Sequence, residues 1–161
     1  MLKPNIELNN ATVLVTGAAG FIGSNLVLDM LDSWCGMCIV GVDNLNDYYD
    51  VSIKEHRLSE IVSRASAHHD NQWVFLRGDI SDKAFVDDVF RNYSPTIVVN
   101  LAAQVGVRYS ITNPDVYITS NLIGFFNILE ACRHGNIEHL VYATSSSVYG
   151  SNQTIPYSVE E

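Results

Sequence analysis

Three glycines and one aspartate carry the clearest chemistry in the sequence. Gly17, Gly20 and Gly23 recur three residues apart in the run Val13-Leu14-Val15-Thr16-Gly17-Ala18-Ala19-Gly20-Phe21-Ile22-Gly23, and Asp43 comes twenty residues after the last of them. A β-branched apolar run precedes the loop and helical spacing succeeds it, the strand–loop–helix setting that binds a diphosphate. In that setting Gly17 permits a tight turn, Gly20 lets the backbone approach the phosphates, and Gly23 allows the helix to pack closely on the strand. The first amides of the helix, those of Phe21, Ile22 and Gly23, then offer donors and a favourable dipole to the anion. Asp43, at the end of a second apolar run, is expected to accept both hydroxyls of an adenosine ribose and to repel a 2′-phosphate, which selects NAD over NADP. Its neighbour Asn44 joins it in the predicted adenosine site, and no Arg or Lys adjoins Asp43 in the sequence to invite the phosphate.

These residues need strands to end beside them. Five short apolar runs qualify: Thr12–Thr16, Cys38–Val42, Trp73–Leu76, Thr96–Leu101 and Leu140–Ala143. Continuous apolar strands, rather than alternating ones, suit a parallel sheet covered on both faces. Four helical patterns lie between them. The first carries Ile22, Leu26, Met30 and Trp34; the second opens on a capping box, Ser52 with Glu55, and carries Leu58, Ile61 and Val62. The third opens at Ser81 and carries Phe85, Val86, Val89 and Phe90. The fourth takes Asn113 as its N-cap and Pro114 as its first residue, runs through Ile118, Leu122, Phe125, Leu129 and Cys132, and stops at Gly135-Asn136. Strand alternating with helix predicts an α/β, doubly wound parallel sheet of the Rossmann type, with strand order 3-2-1-4-5. With no repeat or linker, residues 1–161 read as one dinucleotide-binding domain. Ser63–Asn71 is the expected loose loop.

Composition narrows the partners. The chain is 47% hydrophobic and 17% charged, which is globular rather than disordered. A net charge of −9 argues against nucleic acid, whose binding is driven by Lys and Arg on phosphates. No apolar run reaches the roughly 18–20 residues of a membrane span, and the N-terminus lacks a signal-peptide stretch, so a cytoplasmic protein is expected. Three cysteines fit reduced thiols better than a disulfide framework. Trp34-Cys35-Gly36-Met37-Cys38 looks like a redox motif, but it ends a helix and enters a strand, the reverse of the order that activates a thiolate. His68 and His69 sit in the polar loop without a carboxylate or cysteine cluster, so no metal is expected.

The spacing G-x-x-G-x-x-G departs from the dehydrogenase fingerprint G-x-G-x-x-G and resembles the extended branch of the short-chain dehydrogenase/reductase superfamily. The resemblance runs along the whole chain. Gly78-Asp79-Ile80 looks like the segment whose Asp lies beside the adenine. Asn100-Leu101-Ala102-Ala103-Gln104 resembles the loop after strand four that lies against the cofactor. Ala143–Gly150 looks like the end of strand five, where a Ser or Thr, here Ser145, meets the substrate. Within the branch, Asp43–Asp50 (DNLNDYYD) and Ala102–Ser110 (AAQVGVRYS) resemble UDP-glucuronate 4-epimerases. The alternative for Tyr48 and Tyr49 is a solvated turn with its aromatics packed sideways. Arg108 could hold a diphosphate or a sugar carboxylate bidentately, or make a surface salt bridge. Ser146 joins it in the expected substrate site.

The resemblance implies a tyrosine, paired with lysine in Y-x-x-x-K, that takes the proton from the sugar C4 hydroxyl while hydride passes to bound NAD. It also implies a 4-keto sugar that turns over before hydride returns to its other face, and Ser145 hydrogen-bonding the reacting oxygen. None of the eight tyrosines has a lysine four positions later. The chain is therefore expected to be a truncated and inactive cofactor half, lacking later strands and the substrate domain, whose bared edge and apolar patch favour a homodimer or other self-association. Two alternatives stand beside the UDP-sugar epimerase. One is a nucleotide-sugar 4,6-dehydratase, disfavoured because Ser146-Ser147 stand where those enzymes carry Asp-Glu. The other is a non-catalytic NAD-binding module.

Overall fold

The computed structural model describes residues 6–67 and 70–159. Thr12–Thr16 (β1) lies at the centre of a five-stranded sheet, with Cys38–Asp43 (β2) and Gln72–Arg77 (β3) on one side and Ile97–Asn100 (β4) and His139–Tyr142 (β5) on the other. Every pairing is parallel and the order is β3-β2-β1-β4-β5, as the alternating pattern predicts. Val15 faces Gly41 on β2 and Val99 on β4, so β1 and β4 finish level, with Thr16 beside Asn100. β1 is the point where strand order reverses, and the two neighbouring loops diverge there to leave a crevice.

Side chains alternate between two cores. Val13, Val15, Ile39, Ile97 and Val99 pack under Phe21–Ser33 (α1) and Val51–Ala67 (α2), with Val27, Met30, Leu31 and Ile61. Leu14, Val40 and Val98 pack on the other face with Val86 and Val89 of Lys83–Tyr93 (α3) and with Ile128 and Ala131 of Phe125–His134 (α6). Burial on both faces is why these strands are continuous apolar runs.

Helix registers and boundaries differ from the sequence reading at several points. α1 buries Gly23, Ser24, Val27, Met30 and Leu31 with Leu26 and Trp34 packed at the margin of the core, and of the expected row only Ile22 departs, 64% exposed on the crevice side. α2 begins one residue before Ser52 because Asp50 supplies the cap, its Oδ1 accepting from Ser52 N at 2.9 Å. It also runs on to Ala67 through most of the expected loop, since Ser63–Ala67 contains no Gly or Pro to stop it, and Val62 faces solvent. His68 and His69 lie outside the described residues. α3 is capped by Asp82, which accepts from Phe85 N at 3.1 Å, while Ser81 bonds to Asp79 instead.

The largest departure is the fourth helical pattern. Val107–Thr112 forms a short helix (α4), and Asn113 ends it, with its side chain on Tyr109 Oη instead of capping the next helix. Asp115–Tyr117 (α5) leads into a π-helical stretch, Ile118–Gly124, before α6. The predicted apolar row through Ile118, Leu122 and Leu129 faces outward, because Asn127, Ile128 and Ala131 occupy the side that meets the sheet.

Candidate functional site

The loops after β1, β2, β3, β4 and β5 enclose one large cavity of about 1040 Å³ at the strand ends. Gly17, with φ of +69°, turns the chain out of β1 in a conformation that L side chains rarely adopt. A Cβ on Gly23 would lie 2.2 Å from Gly17 O, and one on Gly20 3.0 Å from the same oxygen, so the loop closes on itself with no space for side chains. Ser24 N donating to Gly20 O at 3.0 Å opens the intrahelical ladder, so the amides of Phe21, Ile22 and Gly23 precede it. α1 has no acidic residue in its first turn to occupy that positive end. This turn, bare of side chains at Gly17, Gly20 and Gly23, fits a diphosphate.

Asp43, 7% exposed, ties β2 to the cradle. Its Oδ2 accepts from Ala19 N at 3.2 Å and its Oδ1 from Leu45 N at 2.9 Å, with Lys54 Nζ 3.4 Å away. Leu45 takes a left-handed φ of +53°, an unfavourable conformation for a γ-branched residue, held by that bond to Asp43. Asn44 Nδ2 donates to Asp79 Oδ2 at 2.8 Å, and Ser81 donates from both its amide and its hydroxyl to Asp79 Oδ1. Burial pushes the Asp79 carboxyl up, but the bonds from Asn44 and Ser81 outweigh it and hold the group below the ordinary carboxylate range. Ile80 is buried beneath this rim.

The opposite wall is the loop after β4. Thr16 Oγ1, fully buried, donates to Asn100 Oδ1 at 2.7 Å and accepts from the amides of Leu101 and Ala102 at 3.2 Å. Asn121, from the π-helical stretch, grips Gln104 at both backbone groups, accepting from its N at 2.8 Å and donating to its O at 2.9 Å. Leu101, Ala102, Ala103 and Gln104 are thus held across the crevice from the glycine loop. Tyr48 stacks obliquely on Tyr109, and Tyr109 on Tyr117, centroids 5.1 and 6.4 Å apart. Tyr48 and Tyr49, 41% and 36% exposed, lie in a solvated bend with Tyr48 packed sideways on Tyr109, and the same bend forms part of the cavity wall.

The structure therefore brings together Gly17, Gly20, Phe21, Ile22, Gly23, Asp43, Asn44, Asp79, Ile80, Leu101–Gln104 and Ser145 around one space. Arg108 and Ser146 are not on its wall. Arg108 sits exposed on α4 and makes no ion pair among the described residues, so the surface salt bridge is not formed. Ser146 begins a 3₁₀ turn, Ser146–Tyr149, that turns away from the cavity behind Ser145. Ser145 Oγ accepts from Ser147 N at 3.1 Å and lies 3.0 Å from Ser147 Oγ. The sequence reading missed Lys54, Arg57 and Asn121. The signal for Asn121 was a polar residue inside an apolar helical run; Lys54 and Arg57 look like ordinary helix surface residues in sequence.

Elsewhere the cysteines are free: Cys35 is exposed, and burial raises the thiols of Cys38 and, to about 11, of Cys132. Both shifts oppose thiolate formation at those two residues. Among the described residues no group of three metal ligands exists and no helix is long and apolar enough to cross a membrane.

The GDP-mannose 4,6-dehydratase family model matches residues 14–161. Protein CapI of Staphylococcus aureus is 49% identical over 92% of this chain, and UDP-glucuronate 4-epimerase 4 of Arabidopsis thaliana 42% identical over 95% of it. The chain spans only 42% and 33% of those two relatives. The crystal structure of UDP-glucuronic acid 4-epimerase from Bacillus cereus, in complex with UDP-4-deoxy-4-fluoro-glucuronic acid and NAD, superposes with a TM-score of 0.72 at 29% identity. It covers 89% of this chain, which covers 43% of that one. With the family model, the strand order and the glycine loop in agreement, the chain belongs to the GDP-mannose 4,6-dehydratase family, within the epimerase/dehydratase branch of the extended short-chain dehydrogenase/reductases.

Proposed function

We propose that this chain is the NAD-binding part of a UDP-sugar 4-epimerase acting on a UDP-hexuronate, interconverting UDP-glucuronate and UDP-galacturonate for surface polysaccharide in the cytoplasm. The observation that carries the reading is the glycine cradle meeting Asp43 at the strand ends, with a Cβ excluded at Gly23 by a 2.2 Å approach to Gly17 O. The amides of Gly20–Gly23 hold the diphosphate, Asp43 and Asn44 the adenosine ribose, and Asp79 with Ile80 flanks the adenine. Leu101–Gln104 closes the site from the β4 side. When bound, NAD supplies a hydride acceptor and donor for the sugar C4. Ser145 hydrogen-bonds the reacting oxygen, an assignment supported by its position on the cavity wall. Glucuronate is favoured over other sugars by the names of the Arabidopsis and Bacillus relatives and by the segments Asp43–Asp50 and Ala102–Ser110.

With no Tyr-x-x-x-Lys among its 161 residues, the chain alone binds coenzyme without turning substrate over. We further propose that it self-associates through the outer edge of β5, where Val141 and Tyr142 are 44% and 52% exposed, together with the outward row Ile118, Leu122 and Phe126. A strictly monomeric mass by light scattering contradicts this.

Calorimetric titration tests the main reading. NAD binds the 161-residue chain more tightly than NADP, and Gly20→Val abolishes binding. A folded chain that binds neither coenzyme refutes the proposal. Assayed at the full length of its relatives, the protein interconverts UDP-glucuronate and UDP-galacturonate; loss of water from the sugar instead would make it a dehydratase.

A further inference from the structure

Lys54 is 5% exposed, the only buried cation among the described residues. A buried ammonium is costly unless it is paired and hydrogen-bonded. Lys54 Nζ meets that condition inside the cavity wall: it donates to Asn46 Oδ1 at 2.9 Å, lies 3.4 Å from Asp43 Oδ1, and sits 5.2 Å from the centre of the Tyr49 ring. A helix position one turn into α2 thus places a positive charge against the carboxylate expected to read the ribose.

Bonding capacity limits what each group can still do. Asp43 already accepts from Ala19 N, Leu45 N and Lys54, so few of its lone pairs remain for two ribose hydroxyls. An ammonium has three N–H donors, and two of those of Lys54 point to Asn46 and Asp43, leaving a third. The carboxylate is also not a bare negative charge. Lys54 offsets it, and Arg57, whose Nη1 is 3.1 Å from Tyr49 Oη and 3.3 Å from Ala19 O, adds a second cation to the same wall.

Resting on the dinucleotide reading, we propose that Lys54 is a specificity-determining residue for the coenzyme. It is the second half of the ribose-reading site: one hydroxyl donates to Asp43 and the other accepts from Lys54. The same lysine moderates the rejection of a 2′-phosphate, so the chain prefers NAD by less than an uncompensated aspartate would impose.

The test is titration calorimetry of the 161-residue chain with NAD and with NADP, each variant being checked for its fold by circular dichroism. Lys54→Met weakens NAD about tenfold, the loss of one charge-assisted hydrogen bond, and weakens NADP further, so the NAD-over-NADP ratio rises by about another tenfold. Lys54→Gln, which keeps a donor but not the charge, recovers much of the NAD affinity while the ratio stays high. Asp43→Asn leaves Lys54 and Arg57 unopposed and turns the preference towards NADP, a result that does not depend on whether a Lys54 variant folds. Parallel losses of both coenzymes in Lys54→Met, or an Asp43→Asn chain that gains nothing for NADP, overturn the role of Lys54 and leave the dinucleotide site standing. A folded wild-type chain that binds neither coenzyme overturns both.

Discussion

The two ends of the cavity are built to different standards. At the Asp43 end the polar groups are fixed: a buried carboxylate holds two backbone amides and a buried ammonium, and Asp79 is held by Asn44 and Ser81. At the Ser145 end Tyr142, Ala143, Thr144 and Ser145 are all exposed, and the bonds of Ser145 stay within its own turn. The first end lies between β1 and β2, with strands on both sides and cores on both faces; the second lies on β5, at the sheet's edge. Pre-organised groups bind tightly because little freedom is lost on binding, and this contrast is the physical ground for proposing the Asp43 end as the coenzyme-reading part of the cavity.

If that contrast is right, substitutions should matter in order of distance from the cradle. Gly23→Ala has the largest effect, since its Cβ would sit 2.2 Å from one backbone atom and 2.9 Å from another. It costs about 3 kcal/mol in urea denaturation and removes NAD binding. Thr16→Val comes next. It strips Asn100 Oδ1 and the Leu101 and Ala102 amides of a buried partner, and destabilises by about 2 kcal/mol in the same measurement.

Asp79 sets a pH dependence. Its folded carboxyl titrates below the unfolded one, so its contribution is present above the ordinary carboxylate pKa and disappears as pH falls through the depressed folded value. Melting temperature should therefore decline on acidification, and Asp79→Asn should flatten that decline; an unchanged acid limb contradicts the assignment. Ser145→Ala, at the other end, shifts stability by less than about 0.5 kcal/mol and leaves NAD affinity intact. A large change there would erase the distinction between the two ends.

The sequence revealed the well-built end far better than the open one, for physical reasons. A glycine that cannot carry a side chain and a carboxylate at a strand end are local demands, visible at Gly17, Gly20, Gly23 and Asp43 without knowing the fold. Strand order came from continuous apolar runs and right-handed crossovers. Lys54 was illegible because its partner is eleven residues away on another element, and only the close of β2 against α2 brings them together. The surroundings of Arg108 were hidden for a related reason: Val107–Thr112 folds into α4, and that helix carries the guanidinium out to solvent. The π-helical stretch had no sequence marker beyond Ser120 and Asn121 interrupting an apolar run, yet it delivers Asn121 to Gln104.

The most direct measurement is an amide chemical-shift map of the 161-residue chain titrated with NAD. Shifts are expected to concentrate at Gly17–Gly23, Asp43–Asn46, Asp79–Ile80 and Leu101–Gln104, with Arg108 and Ser146–Tyr149 little moved. A folded chain whose spectrum does not respond, or responds chiefly around Arg108 and Ser146, contradicts the assignment of coenzyme recognition to the Asp43 end.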